Sequence, residues 1–139
     1  MAPCKWYNNC IRLHALILFM KRKVLIVEDE PVIGEMMSIL LEVSGYKVIS
    51  LADTQSAKKR LRENEVGLVL LDLALKGENG QTMCSYIKND AHLKHLPVIL
   101  VSANSDLEII SKSCGADDHI AKPFDVNYFM DKVNMHCLG

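Results

Sequence analysis

The stretch from Val66 to Gly80, VGLVLLDLALKGENG, decides the fold of this chain. An uncharged apolar run leads to one carboxylate, Asp72, and then opens into a loop rich in glycine and asparagine. Apolar runs of this kind are typical of strands buried on both faces, as in a parallel sheet covered by helices. The pattern places Asp72 at the carboxyl end of such a strand, the edge where open parallel sheets bind ligands.

Four more apolar runs predict the other strands, and segments with helical spacing separate them. The predicted strands are Val24–Val27, Tyr46–Leu51, Pro97–Ser102 and His119–Ala121. Helices are predicted from Pro31 to Gly45, Thr54 to about Asn64, Gly80 to about Asn89, Ser105 to Gly115, and from Asp125 onward. This alternation with short loops predicts an α/β fold, a doubly wound five-stranded parallel sheet with helices on both faces.

Several residues predict how the helices begin, end and face. In the first helix, apolar residues recur at helical spacing: Ile33, Met36, Leu40 and Val43. Gly45 is expected to end that helix in the left-handed conformation. Thr54 is predicted to cap the second helix, and Ser105 with Glu108 has the form of a capping box for the fourth.

Composition limits the classes of partner. A chain of 139 residues, half of them apolar, fits one domain with a full core. A net charge of −1 shows no basic excess, so neither nucleic acid nor a membrane is expected as a direct partner. The five cysteines match no zinc or Cys-x-x-Cys spacing, which favours free thiols in a reducing cytoplasm.

Residues 1–20 do not follow the pattern of the rest. The apolar stretch Ile11–Met20 is too short to cross a bilayer, and Lys21-Arg22-Lys23 follows where a signal peptide needs small residues. Two interpretations remain open: an appended or upstream-translated leader, or a short amphipathic helix that docks on a partner or a membrane surface. We predict a leader or non-native extension over residues 1–20 and one domain over residues 21–139.

Polar groups follow four of the predicted strands, at the edge that a parallel sheet would share. They are Glu28 and Asp29, Asp72, Ser102 and Lys122. Three crowded carboxylates repel one another unless one takes up a proton or a cation binds them. Mg²⁺ needs only one or two protein carboxylates plus waters, so the acidic cluster predicts a Mg²⁺ site.

Lys122 and Ser102 add what carboxylates lack. A lysine ammonium suits a phosphate oxygen, and a serine hydroxyl can donate to another. Together with Mg²⁺ they predict a phosphoryl-transfer site, with Asp72 as the candidate nucleophile because an aspartate can form an acyl phosphate. Each group alone would be an ordinary polar cap of an α/β core, and only the ordered set indicates chemistry.

From about Lys21 to its end, the chain resembles the receiver domain of two-component response regulators. The matching motifs are the acidic pair Glu28-Asp29, the phosphoacceptor Asp72 with Gly80 eight residues on, the switch pair Ser102-Ala103, and Lys122-Pro123-Phe124, whose lysine–proline bond is usually cis in the family. The resemblance implies a flavodoxin-like, CheY-like fold with strand order 2-1-3-4-5.

The resemblance also implies a metal site and a reaction. Asp29, Asp72 and the backbone carbonyl of Ala74 would bind Mg²⁺, with Glu28 acting mostly through water. The phosphoryl group would come to Asp72 from a phosphohistidine of a sensor histidine kinase or a histidine phosphotransfer protein.

Other positions would hold the phosphoryl group and pass on the signal. Lys122 and Ser102 would bind the phosphoryl oxygens, and Ser102 and His119 would act as switch residues. The face formed by the fourth helix, fifth strand and fifth helix would then change for a downstream protein. Such domains often pair through the last helices, which leaves a homodimer open.

Three residues depart from the family pattern. Lys76 stands where proline is common, which predicts a looser loop. Glu28 replaces a frequent aspartate and has a longer arm. His119 stands where the family often has tyrosine or phenylalanine, and it is either a pH-sensitive switch or an ordinary strand-end aromatic.

Two other functions share part of this pattern. A dehalogenase-like phosphatase needs a second aspartate two residues after the first, where this chain has Ala74, and a cap domain for which there is no room. A receiver-like binding module would never carry phosphate, and the presence of Asp29, Asp72 and Lys122 argues against it. No output domain is expected within the chain, which would be a stand-alone receiver or part of a longer regulator or hybrid kinase.

Overall fold

Five strands alternate with five helices within residues 23–63 and 66–137, the part of the chain that the computed structural model describes. The strands are β1 (Lys23–Val27), β2 (Lys47–Leu51), β3 (Val66–Leu71), β4 (Val98–Ser102) and β5 (Asp118–Ala121). The helices are α1 (Pro31–Val43), α2 (Thr54–Glu63), α3 (Gly80–Asn89), α4 (Leu107–Cys114) and α5 (Val126–Cys137). The predictions for residues 1–20 and for the end of the second helix at Asn64 lie outside the described residues.

The strands form one sheet in the order β2-β1-β3-β4-β5, and each neighbouring pair runs parallel. This confirms the doubly wound, flavodoxin-like fold and the strand order that the resemblance implied. Backbone hydrogen bonds continue the ladder past the strand ends. The N–H of Asp72 donates to the carbonyl of Val27 at 3.0 Å, and that of Lys122 to the carbonyl of Ser102 at 2.9 Å. The polar residues after the strands are therefore held in register with the sheet.

Helices cover both faces of the sheet, and alternate residues of the strands face the two layers. One core cluster joins the sheet to α2, α3 and α4, and includes Leu25, Val69, Leu100, Ala57, Met83 and Cys114. The other joins it to α1 and α5, and includes Ile26, Leu70, Ile99, Met37, Leu41 and Phe129. None of the helices in the described part of the chain has the length and apolar character needed to cross a membrane.

Helix α1 buries a different set of residues from the one its apolar spacing picks out. Its buried residues are Gly34, Met37 and Leu41, whereas Met36 is 42% and Val43 is 84% exposed. Apolar side chains lie on more than one side of this helix, so their spacing predicts a helix without fixing which side faces the core.

Both predicted N-terminal helix caps are wrong. The carboxylate of Asp53, rather than Thr54, caps α2, because it accepts the N–H of Ser56 at 2.7 Å. At α4 the residue before the helix is Asp106, whose side chain makes no capping hydrogen bond. Oδ1 of Asn104, rather than Ser105, accepts a backbone N–H at that end, from Asp106 at 2.8 Å, so the predicted capping box does not form. The predicted end of α1 is confirmed, since Gly45 follows it with a φ of 91°.

Candidate functional site

Glu28, Asp29 and Asp72 come together where β1 and β3 end. These two strands pair in parallel, and the residues that carry the carboxylates follow directly after them. Each residue offers one carboxylate oxygen, and the three oxygens lie within 4.8 Å of one another. Glu28 and Asp72 are buried, whereas Asp29 is half-buried. The structure thus brings together the acidic side chains that the sequence placed at this edge.

Lys122 follows β5, and its peptide bond to Pro123 is cis, as the resemblance implied. Its Nζ lies 2.8 Å from Oε2 of Glu28 and 3.4 Å from Oδ2 of Asp72. Burial would lower the pKa of the Lys122 ammonium, but the hydrogen bond to Glu28 and the charge of Asp72 outweigh it and raise the pKa above the ordinary value. The site therefore contains a cation, the Lys122 ammonium, that bridges two buried acids, Glu28 and Asp72.

Glu28 is the most enclosed of the acidic groups. Burial raises the pKa of its carboxyl, as does the negative charge of Asp72, and the hydrogen bond from Lys122 only partly opposes this. Its Oε1 accepts the backbone N–H of Glu30 at 3.2 Å, close to the start of α1. The two carboxylate oxygens of Glu28 thus have different partners: Oε2 accepts from Lys122, and Oε1 accepts from the backbone of Glu30.

The loop after Asp72 folds back on the end of its own strand. Oδ1 of Asp72 accepts the N–H of Ala74 at 3.2 Å, and the N–H of Gly80 donates to the carbonyl of Leu73 at 3.0 Å. A Cβ atom at position 80 would overlap the carbonyl oxygen of Asp72 and would lie 2.8 Å from the Cα of Leu73. The loop can follow this path only with a glycine at that position.

Ser102 and His119 have different relations to the cleft. Ser102 is buried at the end of β4, lines the cleft together with Asp72, and accepts the N–H of Asn104 on its Oγ at 3.2 Å. His119 is half-buried in β5 and does not lie among the described residues that line the cleft. The structure brings the predicted switch hydroxyl to the site and leaves the histidine outside it.

The site opens into a cleft of about 1020 Å³, part of whose lining is apolar. The apolar lining includes Ile33 and Met36 of α1, Ile110 of α4, and Phe124 after β5. Sequence reasoning missed it as part of the site. Apolar residues that line a cleft have the same helical spacing as apolar residues that line a core, so the sequence held no signal that separates them.

The donor atoms fit a hard divalent cation. The clustered ligands are all carboxylate oxygens, which Mg²⁺ prefers. The half-exposed position of Asp29 leaves space for the waters that Mg²⁺ retains. These residues therefore satisfy the donor requirements of the predicted metal.

Comparisons with known proteins agree with this geometry. The family model of the response regulator receiver domain matches residues 24–134 of the sequence. The phosphate regulon transcriptional regulatory protein PhoB of Escherichia coli is 36% identical over 116 residues, which is 82% of this chain and 51% of that protein. The chain spans about half the length of the curated relatives that it matches.

Solved structures of two histidine kinase receiver domains are also similar. The one from Syntrophus aciditrophicus is 30% identical with a TM-score of 0.79, covering 85% of this chain and 91% of that chain. The one from sensor histidine kinase PA1611 of Pseudomonas aeruginosa is 24% identical with a TM-score of 0.78, covering 85% and 98%, and shows the fold alone. Since the family model matches most of the sequence, the chain belongs to the response regulator receiver domain family, the phosphoacceptor domains of two-component signalling.

Proposed function

We propose that Asp72 accepts a phosphoryl group from a phosphohistidine of a sensor histidine kinase or a histidine phosphotransfer protein. The observation that carries this proposal is the position of Lys122, whose Nζ lies 3.4 Å from Asp72 beside the acidic cluster. A fixed ammonium next to a carboxylate nucleophile can neutralise the charge of an incoming phosphoryl group.

In the proposed step, a carboxylate oxygen of Asp72 attacks the phosphorus atom, and the phosphorus–nitrogen bond of the donor breaks. The electron pair of that bond leaves with the imidazole. The ammonium of Lys122 then binds one phosphoryl oxygen, and the hydroxyl of Ser102 donates to another. Lys122 already contacts Asp72, so this exchange requires only a small movement of its side chain.

The same proposal assigns the metal ligands. Asp29, Asp72 and the backbone carbonyl of Ala74 would hold Mg²⁺, and Glu28 would act mostly through water. The metal, when bound, supplies positive charge beside the transferred group. The three oxygens within 4.8 Å support this assignment. The receiver domain of PA1611, similar in fold, was solved with a magnesium ion coordinated in its active-site cleft.

The proposed output is a change in the face formed by α4, β5 and α5. Ser102 would move toward the phosphoryl group, and His119 would turn inward from its half-buried position. A downstream protein, or a second copy of the chain, would bind the altered face. The role of His119 as a pH-sensitive switch stays a prediction.

The proposed unit is a signalling domain over residues 21–139 that promotes its own phosphoryl transfer and dephosphorylation. A cytoplasmic location is part of the proposal, supported by the free thiols of Cys84, Cys114 and Cys137. That the domain over residues 21–139 makes no direct contact with nucleic acid or membrane stays a prediction.

Intact-mass spectrometry tests the phosphoacceptor. The full chain is incubated with Mg²⁺ and a small acyl phosphate, and the native protein is expected to gain one phosphoryl group. Asp72→Asn should gain none, and the control Asp131→Asn, which changes an exposed acid on α5, should behave like the native chain. No adduct on the native protein would leave only a receiver-like binding module.

A further inference from the structure

The backbone N–H of Lys76 donates a hydrogen bond to Oδ2 of Asp29 at 3.2 Å. Lys76 belongs to the loop between β3 and α3, whereas Asp29 follows β1, so this bond ties the loop to an acid from the neighbouring strand. Among residues 23–63 and 66–137, it is the only hydrogen bond found to the carboxylate of Asp29. The resemblance described above would place a proline here, and proline has no N–H to donate.

The loop is anchored on both sides of Lys76, which holds its N–H in place. Before it, the N–H of Ala74 donates to Asp72 at 3.2 Å. After it, Glu78 forms an ion pair with Lys58 of α2 at 2.9 Å. These anchors keep the donor near Asp29, and the side chain of Lys76 is exposed.

We infer that the backbone N–H of Lys76 is a positioning group that orients Asp29 for the divalent cation, an inference that rests on the proposed function. A carboxylate can accept several hydrogen bonds, so one bond to Oδ2 leaves acceptor sites for a metal. Hydrogen bonds to ligating carboxylates fix their orientation, and loss of such a partner weakens metal binding by about 10- to 100-fold. This chain thus uses an amide donor at a position where proline would leave Asp29 without it.

Isothermal titration of Mg²⁺ into three full chains tests the inference. Lys76→Ala keeps the N–H and removes only the exposed side chain, so its Kd should stay within about twofold of the native value. Lys76→Pro removes the N–H, and its Kd should rise by about tenfold or more. Equal affinities in all three chains, or equal losses in both variants, would overturn the inference and leave the proposed function standing. If the native chain binds no Mg²⁺, both fall.

A second measurement does not depend on the folding of the proline variant. Amide hydrogen exchange is followed by NMR in Mg²⁺-free buffer for the native chain and for Asp29→Ala. The Lys76 amide should exchange several-fold faster once its acceptor is removed. The amide of Leu96, which donates to the carbonyl of Leu93 at 2.9 Å, should keep its native rate. An unchanged rate at Lys76 would contradict the positioning role.

Discussion

At the scale of single residues, the requirement for Gly80 comes from the path of the backbone. Its missing side chain lets the loop pass against the carbonyl group of Asp72, where a Cβ would overlap the oxygen. Gly34, inside α1, is a matched contrast, because a Cβ there would meet its nearest neighbour, Oγ of Ser50, at an ordinary 3.5 Å. Two glycines of one chain therefore differ in what an added methyl group would do.

Gly80→Ala is expected to lower the free energy of unfolding by about 2 kcal/mol or more. The added Cβ would meet the carbonyl oxygen of Asp72 and the Cα of Leu73, and neither atom can move without disturbing the strand end. Gly34→Ala should raise it by about 0.5–1 kcal/mol, the usual gain from replacing glycine inside a helix. Urea unfolding followed by circular dichroism measures both values. Similar effects at the two positions would contradict the close approach at Gly80.

The sequence predicts which residues form the site, but it does not predict their pairwise contacts. Asp29, Asp72 and Lys122 can be named because each follows an apolar run. The closer contact of Lys122 with Glu28 than with Asp72, 2.8 Å against 3.4 Å, depends on side-chain lengths across several strands. Spacing along the chain holds no such information.

At the scale of elements, Asp118 links β5 to α5 through an ion pair with Lys132 and a hydrogen bond with His136. Its oxygens lie 2.7 Å from Nζ of Lys132 and 2.9 Å from Nε2 of His136. Burial would raise the pKa of the Asp118 carboxyl, but the hydrogen bonds from Lys132 and His136 outweigh it and lower the pKa. A lowered pKa means that the unfolded chain binds this proton more readily. The contact therefore stabilises the fold above the ordinary aspartate pKa and loses its effect as the pH falls through the lower value.

Asp118→Asn is expected to lower the free energy of unfolding by about 1–3 kcal/mol at pH 7, because it removes the negative charge and replaces one of the two acceptor oxygens with an NH2 donor. The difference from the native chain should shrink as the pH falls below the ordinary aspartate pKa. Denaturant unfolding at several pH values measures this. The control is Asp131→Asn, which changes an exposed acid on α5, the helix that Asp118 contacts, and should change little. A difference that stays constant with pH would mean that the charge of Asp118 is unimportant.

Strands and helix limits were easier to predict than helix caps and faces. The uncharged run of β3 admits few alternatives to a buried strand. A cap depends on the rotamer of one side chain, and at α2 the carboxylate of Asp53 takes the role that the hydroxyl of Thr54 was expected to fill. On α1, apolar residues on several sides left the buried face undetermined until α1 packs against the sheet.

At the scale of the whole molecule, the cleft gathers more negative than positive groups. Among the described residues, the clustered carboxylates of Glu28, Asp29 and Asp72, with Glu30 also lining the cleft, lie beside the ammonium of Lys122. Only the folded chain brings these groups together, because they come from the ends of different strands. A cation that binds them must therefore favour the folded state by mass action.

Mg²⁺ is expected to stabilise the native chain by about 1.4 kcal/mol at ten times its Kd, which should raise the thermal midpoint by several degrees. Asp29→Asn should lose most of this shift, because it removes a ligand that is half-exposed and tolerates the change. Differential scanning calorimetry with KCl at matched ionic strength as the control measures the effect. An equal rise of the thermal midpoint with KCl would mean that the stabilisation comes from general screening of charges by salt, rather than from Mg²⁺ binding.

The sequence predicts the sheet of the whole molecule better than it predicts the lining of the cleft. Alternation of strands and helices predicted a parallel sheet, whereas the order β2-β1-β3-β4-β5 came from the resemblance and is confirmed. The apolar lining of the cleft was not foreseen. It comes from separate elements, including Met36 of α1 and Phe124 after β5, and neither residue signals the other along the chain.

The hydrogen bonds that extend the sheet through Asp72 and Lys122 fix the spacing of the backbone around the pocket. Neighbouring strands lie about 4.8 Å apart, so the three steps from β1 to β5 separate their backbones by about 14 Å. Lys122 and Glu28 close that gap only because both have long arms. Shortening Glu28 to aspartate would open it by one methylene group, and the backbone could not follow without breaking the sheet. The contact between Lys122 and Glu28 is therefore set by the reach of their two side chains.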